Sequence, residues 1–163
     1  MPARPDFAEF YAATFARLTV QIHAFVGDHT DAQDLVQEAY CRAFARWSTV
    51  SAYDDPLAWV RRVAWNLAIS RWRRLKLLRR RMHELAPTDV SGPSPVSVDL
   101  ARALRHLPPN QRRAIVLHYL ADMSVADIAA FTGAAEGSVK AWLHRGRAAL
   151  TSLLHDGVEV TDV

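Results

Sequence analysis

The stretch Ala86–Ser97, APTDVSGPSPVS, suits neither a regular helix nor a strand, and it divides the rest of the chain in two. Its three prolines lack backbone donors and fix φ, while its glycine and three serines favour turns. That composition predicts a flexible tether. On either side, apolar residues recur every three or four positions, the helical period, and no stretch alternates as a half-buried strand would. With 163 residues, 50% of them hydrophobic, the chain is too apolar for disorder and long enough for two small helical domains. The expected fold is all-α: helical domains at 1–85 and 98–154, joined by the linker 86–97 and followed by a short acidic tail, 155–163. Each core is small and is expected to be marginal alone.

In the first block, Phe7, Phe10, Tyr11, Phe15, Leu18, Ile22 and Phe25 form an apolar stripe closed by Gly27. Asp31 is expected to cap a second helix with Asp34 in its first turn. Leu35, Ala39, Tyr40, Ala43, Phe44 and Trp47 form its apolar face. Ser48 to Pro56 reads as a polar loop. The Asp55-Pro56 step then opens a third helix, with Trp59, Val60, Val63, Ala64 and Leu67 as its buried stripe. In the second block, Leu107-Pro108-Pro109 breaks the pattern early, and Ala114, Ile115, Leu117, Tyr119 and Leu120 mark a central apolar helix.

Charge placement says more than the net charge of +3. From Arg61 to Arg81 there are nine Lys or Arg and no acid, whereas acids gather at Asp28–Glu38 and in the tail. This asymmetry suggests one face for nucleic acid and another for a different partner. Arg62, Asn66, Ser70 and Arg73 fall on one helical stripe. Guanidinium groups pair with phosphate and Asn with base edges. Trp65 and Trp72 lie beside the stripe, where rings could stack on unpaired bases; Trp59 is assigned to the core. Asp34, Glu38 and Arg42 are four apart with Gln37 beside them. Such an acidic face repels phosphate and suits a basic protein surface.

Near the end, Ser124-Val-Ala-Asp-Ile-Ala-Ala-Phe-Thr-Gly133 precedes Glu136-Gly-Ser-Val-Lys-Ala-Trp-Leu-His-Arg-Gly-Arg-Ala-Ala-Leu150. The pattern is a capped helix, a glycine turn and a second helix, the layout of a helix-turn-helix DNA reader. Val125, Ile128 and Ala129 face inward from the first helix. Val139, Leu143, Gly146 and Leu150 do so from the second, with Lys140, His144 and Arg145 off that face.

Cys41 is the only cysteine, which excludes an intrachain disulfide and points to a reducing, cytoplasmic setting. No apolar run has the length of a membrane span, and the first residues lack a signal peptide's apolar core. The seven histidines are scattered without ligand spacing, and no phosphate loop or nucleophile elbow occurs. No metal, no cofactor and no catalytic role are expected.

These motifs together carry a family resemblance. Asp31-Ala-Gln-Asp-Leu-Val-Gln-Glu-Ala-Tyr40 resembles the core-polymerase-binding motif in the second domain of bacterial sigma factors. Ala58-Trp-Val-Arg-Arg-Val-Ala-Trp-Asn-Leu-Ala68 resembles the promoter helix that follows it. Leu107-Pro-Pro-Asn-Gln-Arg-Arg-Ala-Ile-Val-Leu117 and Ser124–Leu150 resemble the family's fourth domain. The order is that of the small extracytoplasmic-function type, which lacks the first and third domains.

The resemblance implies a transcription initiation factor. Asp34, Gln37, Glu38 and Arg42 would face the clamp helices of the largest polymerase subunit. Ser51, Tyr53 and Asp54 of the loop, with Arg62, Asn66, Ser70 and Arg73, would meet the minus-ten DNA. Ser138, Lys140, His144, Arg145 and Arg147 would meet minus-thirty-five duplex. The implied partners are core RNA polymerase, promoter DNA and an anti-sigma protein. Ala141-Trp142 stands where members commonly have Ser-Arg, which removes one DNA-contacting arginine. Fully extended, the twelve-residue linker reaches about 40 Å, enough to serve two separated DNA elements. A dimeric repressor and a nucleic-acid-processing enzyme are the rival readings; no dimer helix is evident for the first and no acid cluster for the second.

Overall fold

The computed structural model describes residues 3–81 and 97–159, and every element in them is a helix. The chain forms two compact units, Met1–Gly92 and Pro93–Val163. Most of the tether expected at 86–97 lies outside the described residues. Its last residue, Ser97, caps the helix that follows, its side chain accepting a hydrogen bond from Leu100 N at 3.2 Å.

The first unit contains α1 (Phe7–Val26), α2 (His29–Ala45), α3 (Trp47–Val50) and α4 (Pro56–Arg81). Gly27 ends α1 at φ 83°, the left-handed conformation that glycine adopts without steric cost. α1, α2 and α4 pack on one another around Leu18, Ile22, Phe25, Val36, Ala39, Tyr40, Val60, Ala64, Trp65 and Ala68. Small residues on α2 and α4 let the backbones approach, and the large rings of Tyr40, Phe25 and Trp65 fill the space between them.

Four expectations for this unit are corrected. Asp28, not Asp31, caps α2: its carboxylate accepts from Asp31 N at 2.8 Å. Asp31 instead pairs with Arg71 at 2.9 Å, tying α2 to α4. Phe44 is 65% exposed and packs against Phe7 with centroids 5.0 Å apart, while Val36 takes the inward position. The segment read as a polar loop contains the helical turn α3, and Trp47 Nε1 donates to Pro5 O at 3.2 Å. The buried stripe of α4 runs through Val60, Ala64, Trp65 and Ala68, so Trp65 is core, stacked edge-on against Phe25 at 5.1 Å, and Trp59 is only half-buried.

The second unit contains α5 (Val98–His106), α6 (Pro109–Tyr119), α7 (Val125–Thr132) and α8 (Glu136–Glu159). α8 packs against the other three. Ala114, Ile115 and Leu117 are buried as expected, but Tyr119 is 51% exposed. Arg112 is buried and donates through Nη2 to Arg105 O at 3.0 Å and Leu107 O at 3.1 Å. Those carbonyls lie where Pro108 and Pro109 interrupt the ladder, so the guanidinium satisfies groups that the break would strand. Helix α8 continues past His155 to Glu159, into the stretch expected to be a tail.

Candidate nucleic-acid interface and docking face

The acidic face is built on α2. Its inward side is fixed by Ala32, Val36, Ala39, Tyr40 and Ala43, which leaves Asp34, Gln37, Glu38 and Arg42 exposed on the other. Glu38 Oε1 accepts from Arg42 Nε at 3.0 Å; both side chains are 53% exposed, so water screens the pair and it contributes little stability. Gln37 Oε1 accepts from the Tyr11 hydroxyl at 2.9 Å, which orients the amide from α1. Sequence reasoning missed Tyr11, because nothing in its spacing separates it from the core aromatics. Beneath it, burial raises the Tyr40 phenol above its ordinary pKa; its hydrogen bond with Thr14 opposes that shift and Tyr11 adds to it.

The basic face is built on α4. Asp55 Oδ1 accepts from Ala58 N at 3.1 Å, and Pro56 opens the helix with its preset φ. Burial of Val60, Ala64 and Ala68 turns Arg62, Asn66, Ser70 and Arg73 outward along one line. Arg61, on the other side, is half-buried, and burial lowers its pKa; Asp55 opposes this and Arg17 adds to it. The preceding loop presents Tyr53, 47% exposed, and Asp54. Ser51 does not join them: it is buried at the end of α3, with its N–H on Trp47 O at 2.8 Å. Nor does Trp65 offer a stacking ring. Trp72 is half-buried with Lys76 Nζ 5.0 Å from its ring centre.

In the second unit, Ser124 caps α7 by accepting from Asp127 N at 3.1 Å, and Gly133 turns the chain at φ 75°. Val139 and Leu143 are buried, and Gly146 lies so close to α6 that a Cβ there would meet Ile115 Cγ1 at 2.9 Å. This close approach seats α8 against α6 and leaves Ser138, Lys140, His144, Arg145 and Arg147 exposed. They do not form one edge. Positions two apart on a helix differ by about 200°, so Arg145 and Arg147 diverge. Lys140, His144 and Arg147 share one flank, and Ser138 and Arg145 share the other. Arg147 Nη1 donates to the Tyr119 hydroxyl at 3.2 Å, which ties it to α6. Trp142 is half-buried at the edge of the inward face. Helix α8 therefore offers two polar flanks on either side of its outward face.

Among the described residues, no cluster of metal-ligating side chains occurs and no helix is long and apolar enough to cross a membrane.

Two family models match the chain: Sigma-70 region 2 over residues 8–77 and Sigma-70 region 4 over residues 97–150. The chain is 32% identical over 148 residues to the RNA polymerase sigma-E factor of Streptomyces coelicolor, covering 89% of this chain and 84% of that protein. It is 30% identical over 168 residues to the extracytoplasmic-function (ECF) sigma factor SigW of Bacillus subtilis, covering 93% and 88%. Among solved structures it resembles the sigma factor RpoE of Bartonella quintana, crystallised with the anti-sigma factor NepR. The TM-score is 0.74 and the identity 25%, over 92% of this chain and 97% of that one.

Proposed function

The chain belongs to the RNA polymerase sigma-70 family, as a two-domain member of the extracytoplasmic-function type, and from that premise we propose how its faces divide the work of initiation. As a sigma factor it binds core RNA polymerase and directs transcription initiation; it is not itself an enzyme.

In our reading, Asp34, Gln37, Glu38 and Arg42 dock on the clamp helices of the largest polymerase subunit. Tyr53, Asp54, Arg62, Asn66, Ser70 and Arg73 hold the opened minus-ten strand. Ser51 acts there only by shaping the loop, since it is buried. Ser138, Lys140, His144, Arg145 and Arg147 contact minus-thirty-five duplex from the two flanks of α8. Residues 1–85 thus serve polymerase and the minus-ten element, 86–97 is the tether, and the second block serves the upstream duplex. Melting draws on binding energy: extruding a base costs a few kcal/mol, which a pocket and stacking offset. An anti-sigma protein is a further partner, as the likeness to RpoE solved with NepR suggests.

The observation that carries the division is that α2 and α4 belong to one packed unit yet turn faces of opposite charge pattern outward. A single nucleic-acid surface has no use for the acids, and a single protein-docking surface has no use for the basic stripe. The test pairs two variants in reconstituted holoenzyme. Glu38→Lys is expected to weaken core binding by like-charge repulsion while the fold persists. Arg62→Ala with Asn66→Ala is expected to reduce permanganate reactivity of start-site thymines while core binding persists. If both variants lose the same step, the two faces are one, and the division fails.

A further inference from the structure

From Glu136 to Arg147, helix α8 carries one large apolar side chain that is not fully inside, Trp142. Val139 and Leu143 beside it are buried, whereas Trp142 is half-buried. Other indoles of the chain have partners in the fold. Trp47 packs against Phe7 and Phe10, Trp65 against Phe25, and Trp72 lies under Lys76. Among the described residues Trp142 has no ring partner, no cation and no acceptor for its N–H.

Spacing sets its place on the helix. Trp142 follows Ser138 by four residues and precedes Arg145 by three, so it falls on their flank. That row covers about 10 Å along the axis, the rise of about three base pairs. On the side turned away from Val139 and Leu143 stand Gly137, Ala141 and Ala148. Glycine is a poor helix former, yet the fold does not require it at 137: a Cβ there would meet no atom within 4 Å. Small residues on that side let the α8 backbone come close to a groove floor, which brings the side chains of its flanks to base edges.

The chemistry of the indole selects what it meets. Its ring is uncharged and does not neutralise a phosphate, as the neighbouring Arg145 does. It offers an apolar face and one N–H donor. In the major groove, thymine offers an apolar group, the C5-methyl, with an acceptor, O4, beside it. Guanine presents acceptors there and cytosine a donor, without a methyl group.

We infer that Trp142 is a specificity-determining residue of α8. Its ring covers the C5-methyl group of one thymine in the minus-thirty-five duplex, in the row between the contacts of Ser138 and Arg145. The inference rests on the proposed role of α8 at that duplex.

The test uses holoenzyme assembled from core polymerase and the full chain. Promoter fragments randomised over the minus-thirty-five element are selected for binding, and the enriched sequence is the probe. Each thymine in it is then replaced by deoxyuridine, which removes only the methyl group. At one position wild-type binding is expected to weaken about fourfold, equivalent to about 0.8 kcal/mol for burying one methylene-sized group. Trp142→Ala is expected to lose this difference while keeping its preferences at the other positions, which an unfolded reader would lose too. Where that variant loses every preference, the wild-type chain decides. Iododeoxyuridine at the same position, its iodine standing where the methyl stood, is expected to crosslink to Trp142 under near-ultraviolet light. Three results overturn Trp142 as the reader and leave the role of α8 intact: wild-type binding indifferent to every methyl, a Trp142→Ala variant that keeps the difference, or a crosslink to another residue of α8. An enriched element without thymine overturns it as well. Crosslinks that fall outside α8, or a selection that enriches no upstream element, would sink the proposed role of α8 and the inference with it.

Discussion

The two units solve the problem of a small helical core in opposite ways. The first fills its centre with large rings, Trp65, Tyr40 and Phe25, set among alanines on α2 and α4. In the second, the large side chains fully withdrawn from water are aliphatic: Leu104, Leu117, Ile128 and Val116. It gains close packing by bringing α8 onto Ile115 at Gly146 and by using the buried Arg112 to satisfy carbonyls at a proline break. A ring-filled core tolerates variation in helix spacing, because the side chains span the gap. A core built on backbone approach does not. The first unit holds two outward faces on a thick frame, and the second holds the angle of one helix.

The comparison can be broken by mutation, with hydrogen exchange of α1–α4 and α5–α8 followed separately in the full chain. The largest effect is expected at Trp65→Ala, about 3–5 kcal/mol, confined to the first unit. Trp65→Phe is expected to cost far less, since it keeps a ring against Phe25 and removes a buried indole N–H that has no hydrogen-bond partner. Equal protection loss in both units after Trp65→Ala would show that the cores are not independent.

Gly146→Val is next, at about 1–3 kcal/mol in the second unit, because the added atoms meet Ile115. Ile115→Ala in the same chain is expected to recover part of that loss, a coupling that a double-mutant cycle reads directly. Additive costs would mean that the close approach is not what seats α8.

Arg112→Met removes the donor to Arg105 O and Leu107 O and is expected to cost about 1–3 kcal/mol, again in the second unit alone. The amides of α5 and the first turn of α6 should lose protection first. Loss spread evenly over α7 and α8 would deny Arg112 its local role.

The smallest effect is expected at the pair joining α2 to α4. Asp31 and Arg71 are 31% and 40% exposed, so Asp31→Asn is expected to cost no more than about 1 kcal/mol, screened by salt. A larger cost that persists at high salt would mean that the pair fastens the two faces together.

Much of this was legible in order and type. The aromatic period of α1, the stop at Gly27, the cap at Ser124, the turn at Gly133 and the inward Gly146 all follow from short-range chemistry, and the structure has each of them. The exposed stripe Arg62–Asn66–Ser70–Arg73 was equally legible, since residues three and four apart share a side whatever surrounds the helix. The errors over which side of a helix is buried share one cause. A three-or-four spacing defines a stripe but not its centre or width, so Trp59 can be exchanged for Trp65 without changing the pattern. Where Phe25 lies in three dimensions decides that Trp65 is inside.

By itself, then, the sequence determined an all-helical chain, the polar break between its halves, the motifs of its family and the signs of its two charged faces. Each of these depends on residues close together along the chain. Only the tertiary structure decided that Asp28 caps α2 while Asp31 reaches Arg71, that Phe44 lies outside, and that Ser51 is withdrawn from its loop. It also decided that Arg147 leans on Tyr119 away from Arg145. The Asp31–Arg71 pair, the Phe44–Phe7 contact and the Arg147–Tyr119 bond each join residues 28 or more apart, and local periodicity carries no information about such a partner.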